Sequence, residues 1–433
     1  MKFIGVMTGN SLDAVDVVLT DFNNEQFKDI CGYSLAIPEE ISSRFLSLKQ
    51  KLALEKGDIE KVYNDNRLWL EQLHDDYIRL VARTINELLE KHNIDISEVR
   101  AIGFHGQTCH HFPPSIAGEE EASTLQIGSG QMLADLTGIP VVFDFRSDDI
   151  MNGGEGAPLA PQHHVHISNH LREKNIFPVA FCNGGNTGNI SIVSEDINTK
   201  NLKVVGWDVG PFNHYADYLA RNEAGQPCDF DGKIGKKGKI NFNLMDKLFS
   251  SAVITAKGEN FLYCYPPKSS DPAWYKIIPE LIDKSVPLED RIYTAECFAA
   301  EIFVRSLVHI PFNVGQPKYF LLYGGGWNNP VIREHFEKIL TNRTMFSSYV
   351  AKVSKFLYRK DAIVDKTDVF GYDSKYMEAR IFADMAKCFV SNEPFTTPDI
   401  TGCKSPTVCG IMVCPKGNNT QLWSRAAKGW SKK

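Results

Sequence analysis

The sequence predicts an α/β protein with mixed sheets and two domains, and three observations support this prediction. The chain has 433 residues, which exceeds the size at which one hydrophobic core usually stops growing, so two domains are expected. Apolar runs bounded by glycine alternate with amphipathic helical patterns, which favours an α/β architecture. The first two apolar runs form a hairpin, which indicates mixed rather than wholly parallel sheets.

The elements follow from these patterns in chain order. Strands are predicted over residues 3–7, 15–19, 101–104, 141–145, 179–182, 190–193, 204–207 and 319–323. The clearest helix carries Leu70, Leu73, Tyr77, Val81, Thr84 and Leu88, at spacings of three and four residues, and ends near His92. Two more helices are predicted over residues 295–308 and 376–389. Turn-rich segments before Val179 predict domains over residues 1–178 and 179–433, with the last helix able to cross back.

Composition and charge exclude several classes of function. Hydrophobic residues make up 43% and charged residues 23% of the chain, as in ordinary globular proteins. The net charge is −6 and the basic residues are scattered, so no nucleic-acid partner is expected. The chain starts directly with a predicted strand and has no run of 18 apolar residues, so we expect a cytoplasmic protein without a membrane partner.

The ten cysteines are unevenly spaced and form no CxxC pair, which is typical of small buried hydrophobic residues. The run QHHVH, from Gln162 to His166, could suggest a metal site. It lacks a cysteine or carboxylate partner at ligand spacing, so we interpret these histidines as surface or supporting residues and expect no zinc site.

Three glycine-bearing turns follow predicted strands. In MTGNSLDAVD, Gly9 lets the backbone approach a ligand, while Asn10, Ser11 and Asp13 offer donors and a carboxylate. This combination suggests nucleotide phosphates with Mg²⁺ held through Asp13, although a simple β-turn with solvated aspartates fits as well. In VVGWDVGPFN, Asp208 ends a strand, where it would act as a general base or cap the following helix.

The third turn, LLYGGGWNNP, removes side-chain bulk after a strand at Gly324, Gly325 and Gly326, so a flat ring or a ribose could lie against the backbone. A tight turn would explain two of these glycines. Two polar segments suit sugar hydroxyls: HGQT, with His105, Gln107 and Thr108, and DFRSDD, with Asp144 and Arg146. Each segment alone is equally compatible with a structural hydrogen-bond network.

Taken together, these segments resemble the anhydro-N-acetylmuramic acid kinase family of the actin-like, Hsp70-like and sugar-kinase superfamily. The hairpin is similar to the family's SGTSLDGVD. It is followed in the family's order by HGQT, TLQIGSGQMLADLTGIPVVFDFRSDDI, GGEGAPLAP, an NxGxxxN stretch, DVGPFN, DGKIGKKGKI, PPKS, GGGWNNP, MEA and TGCKSPTVCG. The resemblance spans nearly the whole chain.

The resemblance implies two actin-like (ribonuclease H-like) domains, each with a mixed five-stranded sheet flanked by helices, on either side of a central cleft that holds ATP. The family opens 1,6-anhydro-N-acetylmuramic acid with water and phosphorylates O6, in cell-wall sugar recycling. Such a protein has ATP and Mg²⁺ as cofactors and an anhydrosugar as its small-molecule partner. Homodimers are known in the family.

Residue by residue, the resemblance implies Asp208 as the base that activates water, Asp13 and Glu378 as metal carboxylates, and His105, Gln107, Thr108, Asp144 and Arg146 as sugar-binding residues. It implies ATP binding by Gly9, Asn10, Ser11, Leu12, Asp13, Ala14, Val15, Asp16, Asn183, Gly185, Asn189, Gly210, Gly324, Gly325, Gly326 and Asn328. Within the hairpin, Asp16 is also expected to support the second strand.

The chain departs from the family pattern near the implied cleft. Asn10 replaces a threonine, Ala14 a glycine, and Phe212 a glycine or alanine. Residues 270–274, SDPAW, replace a run of glycine, arginine and glutamate, and NGGNTGN replaces NIGGIAN. The open alternatives are therefore a kinase for another anhydrosugar, such as levoglucosan, and a non-catalytic ATP-binding actin-like protein.

Overall fold

The computed structural model describes residues 1–9, 11–23, 26–266, 268–344 and 346–429. The strands are β1 Lys2–Thr8, β2 Ala14–Asn23, β3 Gln26–Ala36, β4 Val99–Phe104, β5 Gln107–Phe112, β6 Ser123–Ile127, β7 Val141–Phe143, β8 Val179–Gly184, β9 Thr187–Glu195, β10 Leu202–Pro211, β11 Tyr319–Tyr323, β12 Ile363–Lys366 and β13 Ile411–Val413.

The α-helices are α1 Glu39–Leu54, α2 Ile59–Lys91, α3 Pro114–Ala117, α4 Gly130–Thr137, α5 Phe145–Met151, α6 Ala160–Glu173, α7 His214–Leu219, α8 Phe242–Ser251, α9 Pro279–Ile282, α10 Leu288–Ser306, α11 Pro330–Leu340, α12 Ser348–Ala351, α13 Ser354–Leu357, α14 Met377–Val390 and α15 Pro398–Thr401. The three helices that periodicity predicts are confirmed within α2, α10 and α14. None of the helices in the described ranges is both long and apolar enough to cross a membrane.

The chain divides into two compact units, one formed by Met1–His166 with Tyr376–Lys433 and the other by Ile167–Lys375. This division differs from the predicted domains at 1–178 and 179–433. The C-terminal part of the chain belongs to the first unit because α14 packs on the sheet of that unit. Gly5 in β1 and Gly103 in β4 make this possible, since an added Cβ at either residue would collide with a backbone carbonyl of α14.

The first unit contains a sheet of strand order β13-β7-β4-β1-β2-β3. Strands β1, β2 and β3 form an antiparallel meander, whereas β4 and β7 run parallel to β1. The expected five strands are joined by a sixth, β13, which pairs antiparallel with β7. A separate two-stranded sheet joins β5 and β6.

The second unit contains a five-stranded sheet of order β10-β9-β8-β11-β12. Strands β8, β9 and β10 again form an antiparallel meander, and β11 and β12 again run parallel to the first strand of that meander. The two units therefore repeat one strand arrangement. This repeat of a mixed sheet flanked by helices is the duplicated actin-like, ribonuclease H-like fold that the sequence predicts.

Candidate active site

The hairpin that is predicted to hold the phosphates of ATP, the phosphate hairpin, lies between β1 and β2, where Thr8 pairs with Val15. Leu12 adopts a left-handed conformation with φ 58° and is buried, and its N–H donates to the carbonyl of Gly9 at 3.2 Å. This turn leaves Ser11 and Asp13 exposed, with the Ser11 hydroxyl donating to Asp13 Oδ1 at 2.5 Å. Asn10, predicted to contact ATP, lies outside the described residues.

Gly9 is not required by the packing of the turn itself. Its φ lies outside the left-handed region, and the described atoms within 4 Å of an added Cβ belong to Ser11, the nearest being Oγ at 3.3 Å. A glycine that the protein's own packing does not need is compatible with close approach of a ligand.

The remaining residues of the hairpin mostly make contacts within the sheet. Asp16 accepts a hydrogen bond from Ser34 on β3, as expected of a residue that supports the second strand. Val15 is buried, and Ala14 pairs with Ala36 of β3. The exposed polar side chains of the described tip are thus Ser11 and Asp13, and the contact of any of these residues with ATP stays a prediction.

The predicted sugar-binding histidine lies in the first unit, directly after β4. Arg146 Nε donates to His105 Nε2 at 3.1 Å, and Arg146 Nη1 donates to the carbonyl of Gly156 at 2.6 Å. Burial and the neighbouring Arg146 hold the pKa of His105 well below its usual range, so its ring is neutral. The arginine therefore links HGQT to the glycine-rich loop that contains Gly156.

Gln107 connects the same segment to the phosphate hairpin, because its Nε2 lies within donating distance, 3.4 Å, of the Gly9 carbonyl. Thr108 Oγ1 accepts from Gln126 at 3.4 Å. Within the described chain, His105 Nδ1 and Gln107 Oε1 are buried polar atoms without a hydrogen-bond partner. Unsatisfied buried atoms are costly, and a bound polar ligand is one way to satisfy them.

Asp144 accepts hydrogen bonds from the C-terminal segment. The sequence does not predict this contact. Arg425 Nε donates to Asp144 Oδ2 at 2.7 Å, Gln421 Nε2 donates to the same oxygen at 3.0 Å, and Ser147 donates to Oδ1 at 2.5 Å. Asp144 also lines a small cavity together with His105 and Ser424. Nothing in the local sequence around Arg425 indicates this partner, because 281 residues separate the two.

The two predicted metal carboxylates both belong to the first unit. Asp13 lies at the exposed hairpin tip, and Glu378 lies in the first turn of α14, the helix that packs across β1. Carboxylate oxygens are the ligands that Mg²⁺ prefers, so the donor chemistry of this pair fits that ion.

In the second unit, three polar residues form a row across neighbouring strands. Asn183 of β8 is paired with Asn189 of β9, and Asn189 is paired with Asp208 of β10. Directly opposed residues of antiparallel strands project to the same face about 5 Å apart. The register therefore brings these three predicted site residues together on one face of the sheet.

Asp208 lies inside β10, three residues before its end, and its Oδ2 accepts several hydrogen bonds. The N–H of Ser270 donates at 2.8 Å, and the hydroxyls of Ser269 and Ser270 donate at 3.3 Å. The Ser270 hydroxyl also lies 2.7 Å from Tyr275 Oη, which lies 2.8 Å from Thr187 Oγ1. SDPAW, where this chain departs from the family, thus supplies donors to the carboxylate.

The pKa of Asp208 is raised above its usual value. Burial raises the pKa of Asp208, while the hydrogen bonds from Ser270 and Ser269 and the nearby Lys268 act in the opposite direction. Burial lowers the pKa of Lys268 to about 8. Lys268 is 8% exposed, and its Nζ donates to the carbonyl of Phe261 at 3.2 Å.

The three consecutive glycines after β11 have different environments. Gly324 has φ 90°, and an added Cβ there would collide with Asn183. At Gly326 it would collide with Asn213 and Phe212. Gly325 is exposed and has no described atom within 4 Å of an added Cβ, so it is the glycine of the three best suited to a flat ligand.

The other predicted ATP residues of this unit lie around the same strands. Asn328 accepts a hydrogen bond from Lys366 Nζ at 2.5 Å and is exposed. Gly185 follows β8, and Gly210 lies near the end of β10 with φ 137°. Phe212 is buried, with its ring centroid 4.7 Å from that of Trp327.

Comparison with known proteins then decides the family. The family model described as anhydro-N-acetylmuramic acid kinase matches residues 1–415. The chain belongs to the anhydro-N-acetylmuramic acid kinase family. Membership makes it an enzyme of the sugar-kinase class, which uses ATP and acts on a small-molecule sugar.

Two curated family members illustrate the similarity. The anhydro-N-acetylmuramic acid kinase of Haemophilus influenzae is 30% identical over 422 residues, covering 95% of this chain and 97% of the relative. That of Gluconobacter oxydans is 29% identical over 413 residues, covering 95% and 99%. Among solved structures, component A of (R)-2-hydroxyglutaryl-CoA dehydratase from Acidaminococcus fermentans is 11% identical with a TM-score of 0.39, covering 83% of this chain and 96% of that one.

Proposed function

We propose that this member of the anhydro-N-acetylmuramic acid kinase family hydrolytically opens 1,6-anhydro-N-acetylmuramic acid and phosphorylates its O6, with ATP as the phosphoryl donor. The products are N-acetylmuramic acid 6-phosphate and ADP. The proposal rests on family membership along the chain and on one observation in this protein. That observation is the Asp208 carboxylate inside β10, which accepts hydrogen bonds from the N–H and the hydroxyl of Ser270.

In the proposed reaction, Asp208 Oδ1 or Oδ2 accepts a proton from a water molecule as the water oxygen attacks the anomeric carbon. The bond between that carbon and O6 breaks, and O6 takes the γ-phosphoryl group while ADP leaves. A carboxylate already held by neutral donors need not reorganise to receive the proton, which favours the step.

Asp13 and Glu378 would hold Mg²⁺, whose positive charge offsets charge on the transferring phosphoryl group. Ser11 and the backbone at Gly9 would contact the phosphates, and the row of Asn183 and Asn189 with exposed Gly325 would contact ATP in the second unit. Of the buried but unpartnered atoms, His105 Nδ1 carries the ring proton because Nε2 accepts from Arg146, so it would donate to a sugar hydroxyl, and Gln107 Oε1 would accept from one.

We further propose that the enzyme acts in the cytoplasm as a homodimer, in the recycling of amino sugars from the bacterial cell wall. Family members of similar length carry the same name. This assignment predicts that cells lacking the enzyme accumulate the anhydro sugar, which mass spectrometry of cytoplasmic extracts would detect.

The deciding experiment measures ATP turnover with 1,6-anhydro-N-acetylmuramic acid, with levoglucosan and without sugar. We expect turnover with the first sugar, and a loss of about 10²- to 10⁴-fold in kcat in Asp208→Asn with ATP binding retained. Asp246→Asn, which changes an exposed aspartate of α8, is the matched control and should keep normal turnover.

Three outcomes would contradict the proposal. Near-normal turnover in Asp208→Asn would remove Asp208 from the mechanism. Turnover confined to levoglucosan would identify a different anhydrosugar kinase. Tight ATP binding without turnover on either sugar would favour the non-catalytic alternative.

A further inference from the structure

Four chemistry-bearing side chains from two helices meet in the first unit, apart from the candidate active site. His163 and His166 are three residues apart on α6, and Asp384 and Cys388 are four residues apart on α14. Both spacings place the two side chains on one face of their helix. The histidines come from the run QHHVH, for which the sequence shows no ligand partner. The fold supplies an aspartate and a cysteine from more than 200 residues away.

The donor atoms of this cluster are close together. His166 Nδ1 lies 2.7 Å from Asp384 Oδ2, and Cys388 Sγ lies 3.8 Å from Asp384 Oδ1. One ligand atom from each of these three residues can be chosen so that all lie within 4.8 Å of one another. In a tetrahedral zinc site, metal–sulfur bonds of about 2.3 Å and metal–oxygen bonds of about 2.0 Å place sulfur and oxygen ligands about 3.5 Å apart. The observed sulfur–oxygen separation is close to that value.

We propose that His166, Asp384 and Cys388 form a binding site for a divalent ion of the Zn²⁺ type. The set combines imidazole nitrogen, carboxylate oxygen and thiolate sulfur, which zinc accepts together and Mg²⁺ does not favour. The site is therefore chemically distinct from the all-carboxylate pair proposed for Mg²⁺. Glu393 Oε2 lies 3.8 Å from Cys388 Sγ but is paired with Lys387 Nζ at 2.5 Å, so the fourth position of the ion is left to a water molecule.

The surrounding contacts would orient these ligands. His163 Nδ1 lies 2.7 Å from Asp384 Oδ2 and donates to that carboxylate, an arrangement that commonly fixes a ligating carboxylate. Gln162 lies 3.3 Å from the other ring nitrogen of His166. Turning the Gln162 amide over would place its oxygen there, and that oxygen can accept a hydrogen bond from Nε2–H when Nδ1 binds a metal.

Access and burial also suit an ion-binding site. The Asp384 side chain is 1% exposed and that of His163 is fully buried, whereas that of His166 is 25% exposed. The ligand set is thus buried at Asp384 and reaches solvent at His166.

The test uses the full chain freed of metal by a chelator and titrated with Co²⁺, a spectroscopic substitute for Zn²⁺. We expect about one ion per chain with a thiolate-to-cobalt charge-transfer absorption that Zn²⁺ removes by competition. Cys388→Ser should abolish this absorption, and His166→Gln should weaken cobalt binding at least tenfold. The Mg²⁺ carboxylates cannot produce a thiolate absorption, so the result is independent of the proposed kinase reaction.

Matched controls are available on the same chain. Cys409→Ser changes another buried cysteine of the first unit, and His170→Gln changes the next histidine along α6. Both should bind Co²⁺ as the unchanged protein does. The proposal is overturned if the unchanged protein shows no thiolate absorption, or if the absorption persists in Cys388→Ser.

A thermal measurement covers the case in which Cys388→Ser does not fold. Zn²⁺ should raise the melting temperature of the unchanged protein and of His170→Gln by several degrees but leave that of His166→Gln unchanged, because binding to the folded state stabilises it. An equal rise in His166→Gln would overturn the assignment of this histidine as a ligand.

Discussion

At Asp208, burial and hydrogen bonding act on the carboxyl pKa in opposite directions. Burial raises it, whereas the donors on Ser270 and Ser269 lower it. Because these donors favour the ionised form, they limit the rise in the pKa of Asp208 that burial causes. Ser270, the first residue of SDPAW, thus donates to Asp208 where the family has its charged run.

Replacing Ser270 by alanine should raise the pKa of Asp208 further, because the variant loses the side-chain donor but keeps the backbone N–H. The acid limb of the kcat/KM profile against pH should therefore move to higher pH. Ser250→Ala, at an exposed position of α8, serves as the control. An acid limb that stays in place, or moves to lower pH, would show that Asp208 does not govern it.

The glycines after β11 lead to a second prediction. Gly325→Ala should keep the melting temperature and raise the KM for ATP, because an added methyl meets open space in the protein but would obstruct a ligand. Gly324→Ala should instead destabilise the protein by about 1–2 kcal/mol, because φ is 90° there. Calorimetry and steady-state kinetics on both variants separate the two effects. Equal KM values for Gly325→Ala and the unchanged protein would contradict the ATP assignment.

Among single residues, the sequence predicts the placement of those whose surroundings are set by their neighbours in the chain. Asp13 and Ser11 are indeed exposed at a turn, and the register brings Asn183, Asn189 and Asp208 to one face. Arg425 was not predicted because its role depends on a partner far along the chain. The same holds for Cys388, since its spacing from QHHVH in the sequence carries no signal.

At the scale of elements, α14 depends on two glycines in the strands beneath it. Gly5→Ala should destabilise the protein by about 1–3 kcal/mol, because the methyl would overlap the carbonyl of Ala379 and force the helix away from β1. Urea unfolding followed by circular dichroism measures the change. Gly9→Ala, in the same hairpin, brings the methyl against only the movable Ser11 side chain, at 3.3 Å from its Oγ, and should lose much less stability than Gly5→Ala. Equal stability of the two variants would contradict this account of the packing.

Helix α10 carries a fully buried carboxyl group, Glu296, which accepts from Asn329 Nδ2 at 2.5 Å. Burial and the nearby Asp229 raise its pKa to about 9, while Asn329 lowers it. In the unfolded chain the pKa is about 4.3, so the folded state holds the proton more tightly. The resulting stabilisation is fully present below about pH 4.3 and is lost as the pH rises through 9.

We therefore expect Glu296→Gln to remove this dependence. Between pH 6 and pH 9 the melting temperature should fall more in the unchanged protein than in the variant. Glu334→Gln, at an exposed site of α11, should follow the unchanged protein. Parallel pH dependence of Glu296→Gln and the unchanged protein would show that Glu296 does not hold a proton in the folded state.

The extent to which elements are predictable depends on their length and pattern. Helix α2 was predicted from a long apolar stripe, and β8 and β11 from continuous apolar runs. Strand β3 was not, because QFKDICGYSLA mixes charged residues and a glycine into the pattern. Strand β13 has three residues, too few for a periodic signal, and forms only because β7 offers a free edge.

At the scale of the whole molecule, chain length predicts two bodies but not the path of the chain between them. The return of the C-terminal part to the first unit depends on long-range packing. Helix α14 lies on Gly5 and Gly103, and Arg425 binds Asp144. Local sequence signals do not encode such contacts, so the sequence allows the last helix to cross back but does not predict which residues hold it there.

The contact of Arg425 with Asp144 and Asp148 predicts strong dependence of the first unit on the C-terminal segment. Arg425→Met should lower the free energy of unfolding by about 3 kcal/mol, because Asp144 would remain buried without its cation. Adding Asp144→Asn should recover part of the loss. Arg100→Met, at an exposed residue, should change it by less than about 0.5 kcal/mol. A loss in Arg425→Met no larger than in this control would contradict the prediction.

The return of β13 to the sheet of β1 also determines the order in which a ribosome can release folded structure. The second unit is one continuous segment, residues 167–375, and has all its strands as soon as that segment has emerged. The first unit, although β1 to β7 precede the second unit in the chain, lacks α14 and β13 until the second unit has been translated. At about 5–20 residues per second, this leaves β7 without its edge partner for tens of seconds during synthesis. Nascent chains of this protein should therefore gain protease resistance in the second unit first.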